Sequence, residues 1–252
     1  MKEKNIFFLK FILFTIVASL ITLLFCIYIC MSIKPLSDNQ DKTDNQTVSS
    51  KKYRGIVIDA GHGGEDGGTS SKSGTYEKDL NLDISLMLCD MFRANGVEVI
   101  LTRNDDRLLY DRNIDFKGRK KILDLAARLG IAEKNPDCLF LSIHMNSFTD
   151  PKYSGLQVWY SKNNPESEYM AEKIQSNTRQ YLQPENSRKI KAAGSNIYLL
   201  HKASVPSVLV ECGFLSNPDE ARKLDDLEYR RQIALVIFIS VMEFLESEEP
   251  AG

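Results

Sequence analysis

The stretch Val57-Ile58-Asp59-Ala60-Gly61-His62-Gly63-Gly64-Glu65-Asp66-Gly67-Gly68 constrains the fold more than any other part of the chain. Residues 54 to 60 read as a strand, apolar from Ile56 onward except at Asp59. A run of this kind belongs to a central strand buried on both faces. His62 then stands just past the strand's carboxyl end, where open α/β sheets place their chemistry. The surrounding glycines permit positive φ and let the backbone approach a ligand or ion closely. A phosphate cradle is excluded, because the third glycine of the dinucleotide fingerprint falls on Asp66 and no P-loop lysine follows. A histidine alone in a turn is ordinarily solvated or hydrogen-bonded, so its companions decide its role.

Those companions repeat the pattern. Cys138 to Ile143 is a second continuous apolar run and ends at His144, and Val205 to Val210 is a third that runs into Glu211. A carboxylate ending a buried strand serves stability poorly, since an unpaired buried charge costs several kcal/mol, roughly. Between the first two runs, Glu77 to Asn95 carries Leu80, Ile84, Leu88, Met91 and Phe92 at helical spacing, and Gly96 closes it before a strand at Val97 to Leu101. Glu77 falls in that helix's first turn, where a carboxylate commonly answers the helix dipole but also points toward the strand ends. A second helix runs through Leu123 to Ile131, a strand covers Gly155 to Ser161, and an amphipathic helix covers Pro165 to Leu182. The polar segment 183 to 196 reads as a loop near the site, Asn196 to Leu200 as a short strand, and Tyr229 to Leu245 as a buried final helix. Strands alternating with helices define an α/β chain.

With 252 residues the chain has room for one domain with a full core behind its amino-terminal segments. A formal net charge of -2 gives no basic excess and argues against nucleic acid as a partner. The five cysteines form no Cys-x-x-Cys pair or close framework, and the three isolated ones, Cys89, Cys138 and Cys212, read as small hydrophobes. From Phe11 to Ile33 no residue is charged, and Lys2, Lys4 and Lys10 precede the run. The expectation is an uncleaved transmembrane signal-anchor over residues 1–34, a polar linker over 35–52 and a catalytic domain over 53–247. The protein would then be single-pass at the cell membrane with its catalytic domain outside the cytoplasm. The positive segments 112 to 121 and 186 to 191 read as solvated basic faces.

His62, Glu77, His144 and Glu211 thus converge on one edge of the sheet, while His201, in the short strand, has no ligand pattern around it. Two imidazoles and one carboxylate, with a position left for water, make a catalytic zinc set, and the spare glutamate can move protons. Asp-Ala-Gly-His-Gly-Gly-Glu-Asp-Gly-Gly around His62, Tyr-Glu-Lys-Asp-Leu-Asn-Leu around Glu77, Ser142-Ile143-His144-Met145-Asn146-Ser147 and Val210-Glu211-Cys212-Gly213-Phe214-Leu215-Ser216-Asn217 together resemble the zinc-dependent N-acetylmuramoyl-L-alanine amidases. The likeness covers about residues 54 to 246.

The resemblance implies that His62, Glu77 and His144 bind Zn2+, that Glu211 is the catalytic carboxylate and that Asn146 contacts substrate. It also implies a twisted mixed β-sheet flanked by helices, and hydrolysis of the amide between muramic acid and L-alanine in peptidoglycan. Within the family the chain is similar to the germination-specific amidases, which implies work on spore cortex toward muramic-lactam formation, with regulation by a partner protein or by location. Two alternatives follow from the ligand set itself: a metallopeptidase of the stem peptide, and a membrane-tethered peptidoglycan-binding module without catalysis.

Overall fold

Strand β1 (Gly55–Ala60) is buried at every position and lies near the middle of the sheet, as its unbroken apolar run requires. The computed structural model describes residues 53–110 and 117–247. Its other strands are β2 (Glu98–Leu101), β3 (Cys138–Asn146), β4 (Gln157–Tyr160), β5 (Lys191–Ala192) and β6 (Ser207–Phe214), in the spatial order β2-β1-β3-β6-β4-β5. The pairs β1/β2, β1/β3 and β3/β6 are parallel, whereas β4 joins β6 antiparallel, so the sheet is mixed. The helices are α1 (Glu77–Ala94), α2 (Lys120–Glu133), α3 (Glu166–Tyr181), α4 (Tyr198–Lys202), α5 (Pro218–Asp225) and α6 (Leu227–Glu246).

Strand alternation sorts the side chains into two cores. On one face Ile56, Ile58, Leu139, Leu141, Val208 and Val210 pack with residues of α1, α3 and α6, among them Ile84, Phe92, Ile174 and Ile237. On the other, Val57, Phe140 and Leu209 meet Ala132 of α2 and Leu199 and Leu200 of α4. Each fully buried side chain of this size contributes about 1.5–3 kcal/mol. The second face carries the candidate site residues of the sequence analysis. Following β1, β3 and β6 toward their carboxyl ends, its apolar residues give way to Asp59, Ser142, His144 and Glu211. Cys212 points the opposite way into the first core, and Cys89, Cys138 and Cys212 are all buried free thiols, as small hydrophobes should be.

Three elements differ from the sequence expectation, the first being β5, which pairs with β4 inside the segment 183 to 196 expected as a loop. Residues 196 to 200, expected as a strand, lead into the helix α4, because Tyr198-Leu199-Leu200 is too short for periodicity to separate the two states. Asn163 holds the helix end by donating from Nδ2 to the carbonyls of His201 and Ala203, 2.9 and 3.0 Å away. Helix α5 was not expected. Asn217 caps it, accepting from the N–H groups of Asp219 and Glu220, and Pro218 occupies its first turn, a start signal legible in Asn-Pro-Asp-Glu.

The expected localisation as a single-pass membrane protein is corrected: among the described residues no helix is long and apolar enough to cross a membrane. Residues 1–34 and 35–52, on which that expectation rested, lie outside the described residues, as do Arg112 and its neighbours 111–116.

Beneath the strand ends lies a buried ion network. Arg128 of α2 reaches Asp59 Oδ1 at 2.6 Å and Asp124 Oδ2 at 2.7 Å, while Ser142 and Thr102 donate hydroxyl hydrogen bonds to Asp59. Burial alone would raise the Asp59 carboxyl, but the Arg128 charge and the Ser142 hydroxyl lead the groups that hold it below the usual carboxylate range. A depressed folded pKa contributes stability above the unfolded value of about 3.9 and loses it as pH falls through the folded value. Arg128→Met, which strands two carboxylates, is expected to cost about 3–5 kcal/mol near neutral pH. Urea unfolding should show the gap between variant and wild type widening as pH rises from 3 to 6.

Candidate metal centre

The loop after β1 holds His62 in the left-handed region, at φ 61°, an unusual state for a residue with a Cβ. Such strain, of order 1–3 kcal/mol, persists only where the surroundings impose it. Here they do. Gly63 and Asp66 exchange backbone hydrogen bonds of 2.9 and 3.1 Å across the turn. The Gly64 N–H donates to Asp106 at 2.7 Å, and Lys78 ties Asp106 to the Gly64 carbonyl. Two buried guanidiniums collect the carbonyls of the turn: Arg103 donates to Ala60 and Gly61, and Arg128 to Ala60 and His62. Gly61 is required for another reason, since a Cβ there would run into the His144 imidazole.

Glu77 opens α1 and is 3% exposed. Its Oε1 accepts from the Met145 N–H at 3.0 Å and contacts His144 Nδ1 at 2.9 Å and His62 Nε2 at 3.3 Å, while Oε2 accepts from Thr69 N–H at 2.9 Å. Burial would raise this carboxyl, but the hydrogen bonds and charges of His144 and His62 hold it well below the ordinary range. The same proximity raises His62 against the opposing effect of its burial. The two imidazoles meet edge to face with ring centres 5.0 Å apart. One ligand atom from each of His62, Glu77 and His144 lies within 4.8 Å of the others, a group that can hold a metal ion. Asp66 Oδ2 stands 2.9 Å from His62 Nδ1 as a charge contact, although that nitrogen has no hydrogen-bond partner.

Glu211 is the register neighbour of His144 on the adjacent parallel strand, so both side chains stand on the same face. Its Oε2 is closed off from solvent without a hydrogen-bond partner. Burial, reinforced by the Glu77 charge, pushes Glu211 up to about 7 against the lowering influence of the two histidines. Asn146 ends β3 two residues past His144, beyond a register shift, and its Oδ1 accepts from the Ser147 N–H at 2.8 Å. His201 is exposed on α4, away from this group.

The four central residues are legible in the sequence, whereas the scaffold of Arg103, Arg128 and Asn81, whose Nδ2 donates to the Gly61 carbonyl at 3.2 Å, is not. The legible signal was Asp59, a carboxylate inside an apolar strand that demands a buried cation. Asp124, Arg128 and Ala132 at i, i+4 and i+8 form the buried face of α2 that supplies it.

The N-acetylmuramoyl-L-alanine amidase family profile matches residues 56–242. The chain is 34% identical over 196 residues to the germination-specific N-acetylmuramoyl-L-alanine amidase of Bacillus subtilis, covering 77% of this chain and 81% of that one. It is 28% identical to N-acetylmuramoyl-L-alanine amidase AmiA of Escherichia coli, covering 76% of each. Among solved structures it is similar to the CwlD amidase from Clostridioides difficile in complex with the GerS lipoprotein. That match has 38% identity and a TM-score of 0.73, and covers 77% of this chain and 100% of that one.

Glu211 carries a stability consequence of fixed sign. A folded pKa raised above the unfolded value of about 4.3 gives a contribution present at low pH and lost as pH rises through about 7. In metal-stripped protein Glu211→Gln is therefore expected to match wild type near pH 4 and to be more stable at pH 8 by about 2 kcal/mol, after allowance for solvent screening. Thermal unfolding at the two pH values measures it.

Proposed function

The chain belongs to the N-acetylmuramoyl-L-alanine amidase family, and from that premise we propose that it works through a zinc ion held by His62, Glu77 and His144, with Glu211 as the catalytic carboxylate. The observation that carries this reading is the convergence of two imidazole nitrogens and a carboxylate oxygen within 4.8 Å, beside a carboxylate whose Oε2 is buried and unpartnered. An N,N,O donor set suits zinc, and the charge of a cation answers the buried Glu77. Residues 53–247 are the proposed catalytic domain.

When bound, zinc polarises the scissile carbonyl and lowers the pKa of water. Glu77 keeps its charge because both histidines hold it ionised, and it orients His144. Glu211 takes a proton from the attacking water and delivers it to the amide nitrogen as the carbon–nitrogen bond breaks. The products are a lactyl carboxylate on muramic acid and a free L-alanine amine. A carboxyl near 7 is poised to accept a proton and return it. Asn146, at the end of β3, is the proposed substrate contact.

The substrate we propose is peptidoglycan of spore cortex, cleaved toward muramic-lactam formation, a reading supported by the likeness to a germination-specific amidase. A protein partner is proposed on the ground that the similar CwlD amidase was solved in complex with a lipoprotein. Family membership sets aside the binding-module alternative; the stem-peptidase alternative is tested by the products. Incubated with zinc and intact peptidoglycan, the chain should release peptides with free L-alanine amino termini, identified by mass spectrometry. New ends inside the stem peptide would overturn the reading. Glu211→Gln should retain zinc while turnover falls by about 10²–10⁴-fold, and chelation should abolish turnover until zinc is restored.

A further inference from the structure

A groove of about 730 Å³ opens at β4, lined by residues of β4, of the segment 182–188 and of α5. Gln157, the antiparallel register partner of Glu211, forms its junction with the site. Arg188 stands one step farther out. Its Nε donates to the Ser154 carbonyl at 2.5 Å and its Nη1 to Gln157 Oε1 at 3.1 Å. The guanidinium lies 4.3 Å from the Phe214 ring centre and 5.8 Å from that of Tyr153. These contacts leave Nη2 without a hydrogen-bond partner among the described residues.

The segment that carries Arg188 is pinned. Asn186 Nδ2 donates to the Leu156 carbonyl at 2.8 Å, Arg179 Nε to the Asn186 carbonyl at 2.9 Å, and Gln157 Nε2 to the Lys189 carbonyl at 2.8 Å. A solvated basic face, the sequence reading of residues 186 to 191, does not call for such a mount. Glu220, a buried acid in the groove lining, already accepts the N–H groups of Gly155 and Phe214. Lys191, one of three lysines in the lining with Lys152 and Lys223, lies 5.1 Å from the Trp159 ring centre and has no ion pair among the described residues.

We propose that Arg188 is a specificity-determining residue whose guanidinium binds a carboxylate on the peptide arm of the substrate, beyond the scissile amide. A stacked, pre-oriented fork with unused N–H groups suits a carboxylate, which takes two parallel hydrogen bonds. The sugar side has no free carboxylate to offer, because its lactyl carboxyl is in the bond being cut. This inference rests on the amidase reading and adds the side of the site on which the peptide lies.

Binding rather than turnover tests it. Zinc-loaded full-length Glu211→Gln protein is titrated calorimetrically with N-acetylmuramoyl-L-alanyl-glutamic acid and with its side-chain carboxamide, both blocked as the C-terminal amide. The acid is expected to bind about tenfold tighter, as one charge-assisted pair gives. Adding Arg188→Met should erase that ratio and leave carboxamide affinity unchanged, while Arg188→Lys should keep part of it. Melting curves confirm that each variant is folded. Equal affinity for the two ligands, no binding of either, or a ratio that survives Arg188→Met would overturn the inference. Products released by the Glu211 protein report on the amidase reading separately, so either can fail without the other.

Discussion

The guanidinium of Arg128 is the interaction on which the rest of the site depends. It ties α2 to the centre of the sheet through Asp59 and, with the same group, captures the carbonyls of Ala60 and His62. Arg128 therefore ties the core to the loop after β1. Without it the left-handed turn at His62 would have fewer of the bonds that impose its conformation, and Asp59 would be an uncompensated charge under the strand ends. Arg103 works from the other flank, donating to Ala60, Gly61 and Lys78 carbonyls, so the turn is clamped between the start of α1 and the segment after β2.

That clamp allows the site to contain features that oppose stability. Glu211 ends a buried strand with an oxygen that has no partner, and His62 has a backbone conformation suited to glycine. Natural sequences tolerate such departures where function needs them, and the two apolar cores on either side of the sheet offset their cost. The parallel pairing of β3 with β6 is what aligns them: His144 and Glu211 are in register, so two residues far apart in the chain stand side by side.

Much of this was legible in the sequence because the candidate site residues stand at the ends of strands. Three apolar runs stop at His62, His144 and Glu211, and period-two alternation says which face each residue takes. Glu77 was legible from its place in the first turn of a helix with a clear apolar stripe. Arg103 and Arg128 were not, because a buried arginine in one element is explained only by carbonyls and carboxylates of another, and neither spacing nor composition brings them together. The strand expected at 196 to 200 failed for a related reason: Leu199 and Leu200 are buried in either state, and it is Asn163, remote in sequence, that closes the helix. Arg188 reads as one more solvated charge in the sequence, and only the fold brings Phe214, Tyr153 and Gln157 around it.

The central claim is that His62, Glu77 and His144 form a single metal centre. X-ray absorption at the zinc edge, on full-length protein loaded with zinc and freed of excess ion, tests it most directly. The account predicts one zinc per chain with two imidazole nitrogens and carboxylate oxygen at about 2.0–2.2 Å, and loss of one imidazole shell in His144→Ala. Absence of bound zinc, sulfur at about 2.3 Å, or a spectrum unmoved by His144→Ala would contradict it.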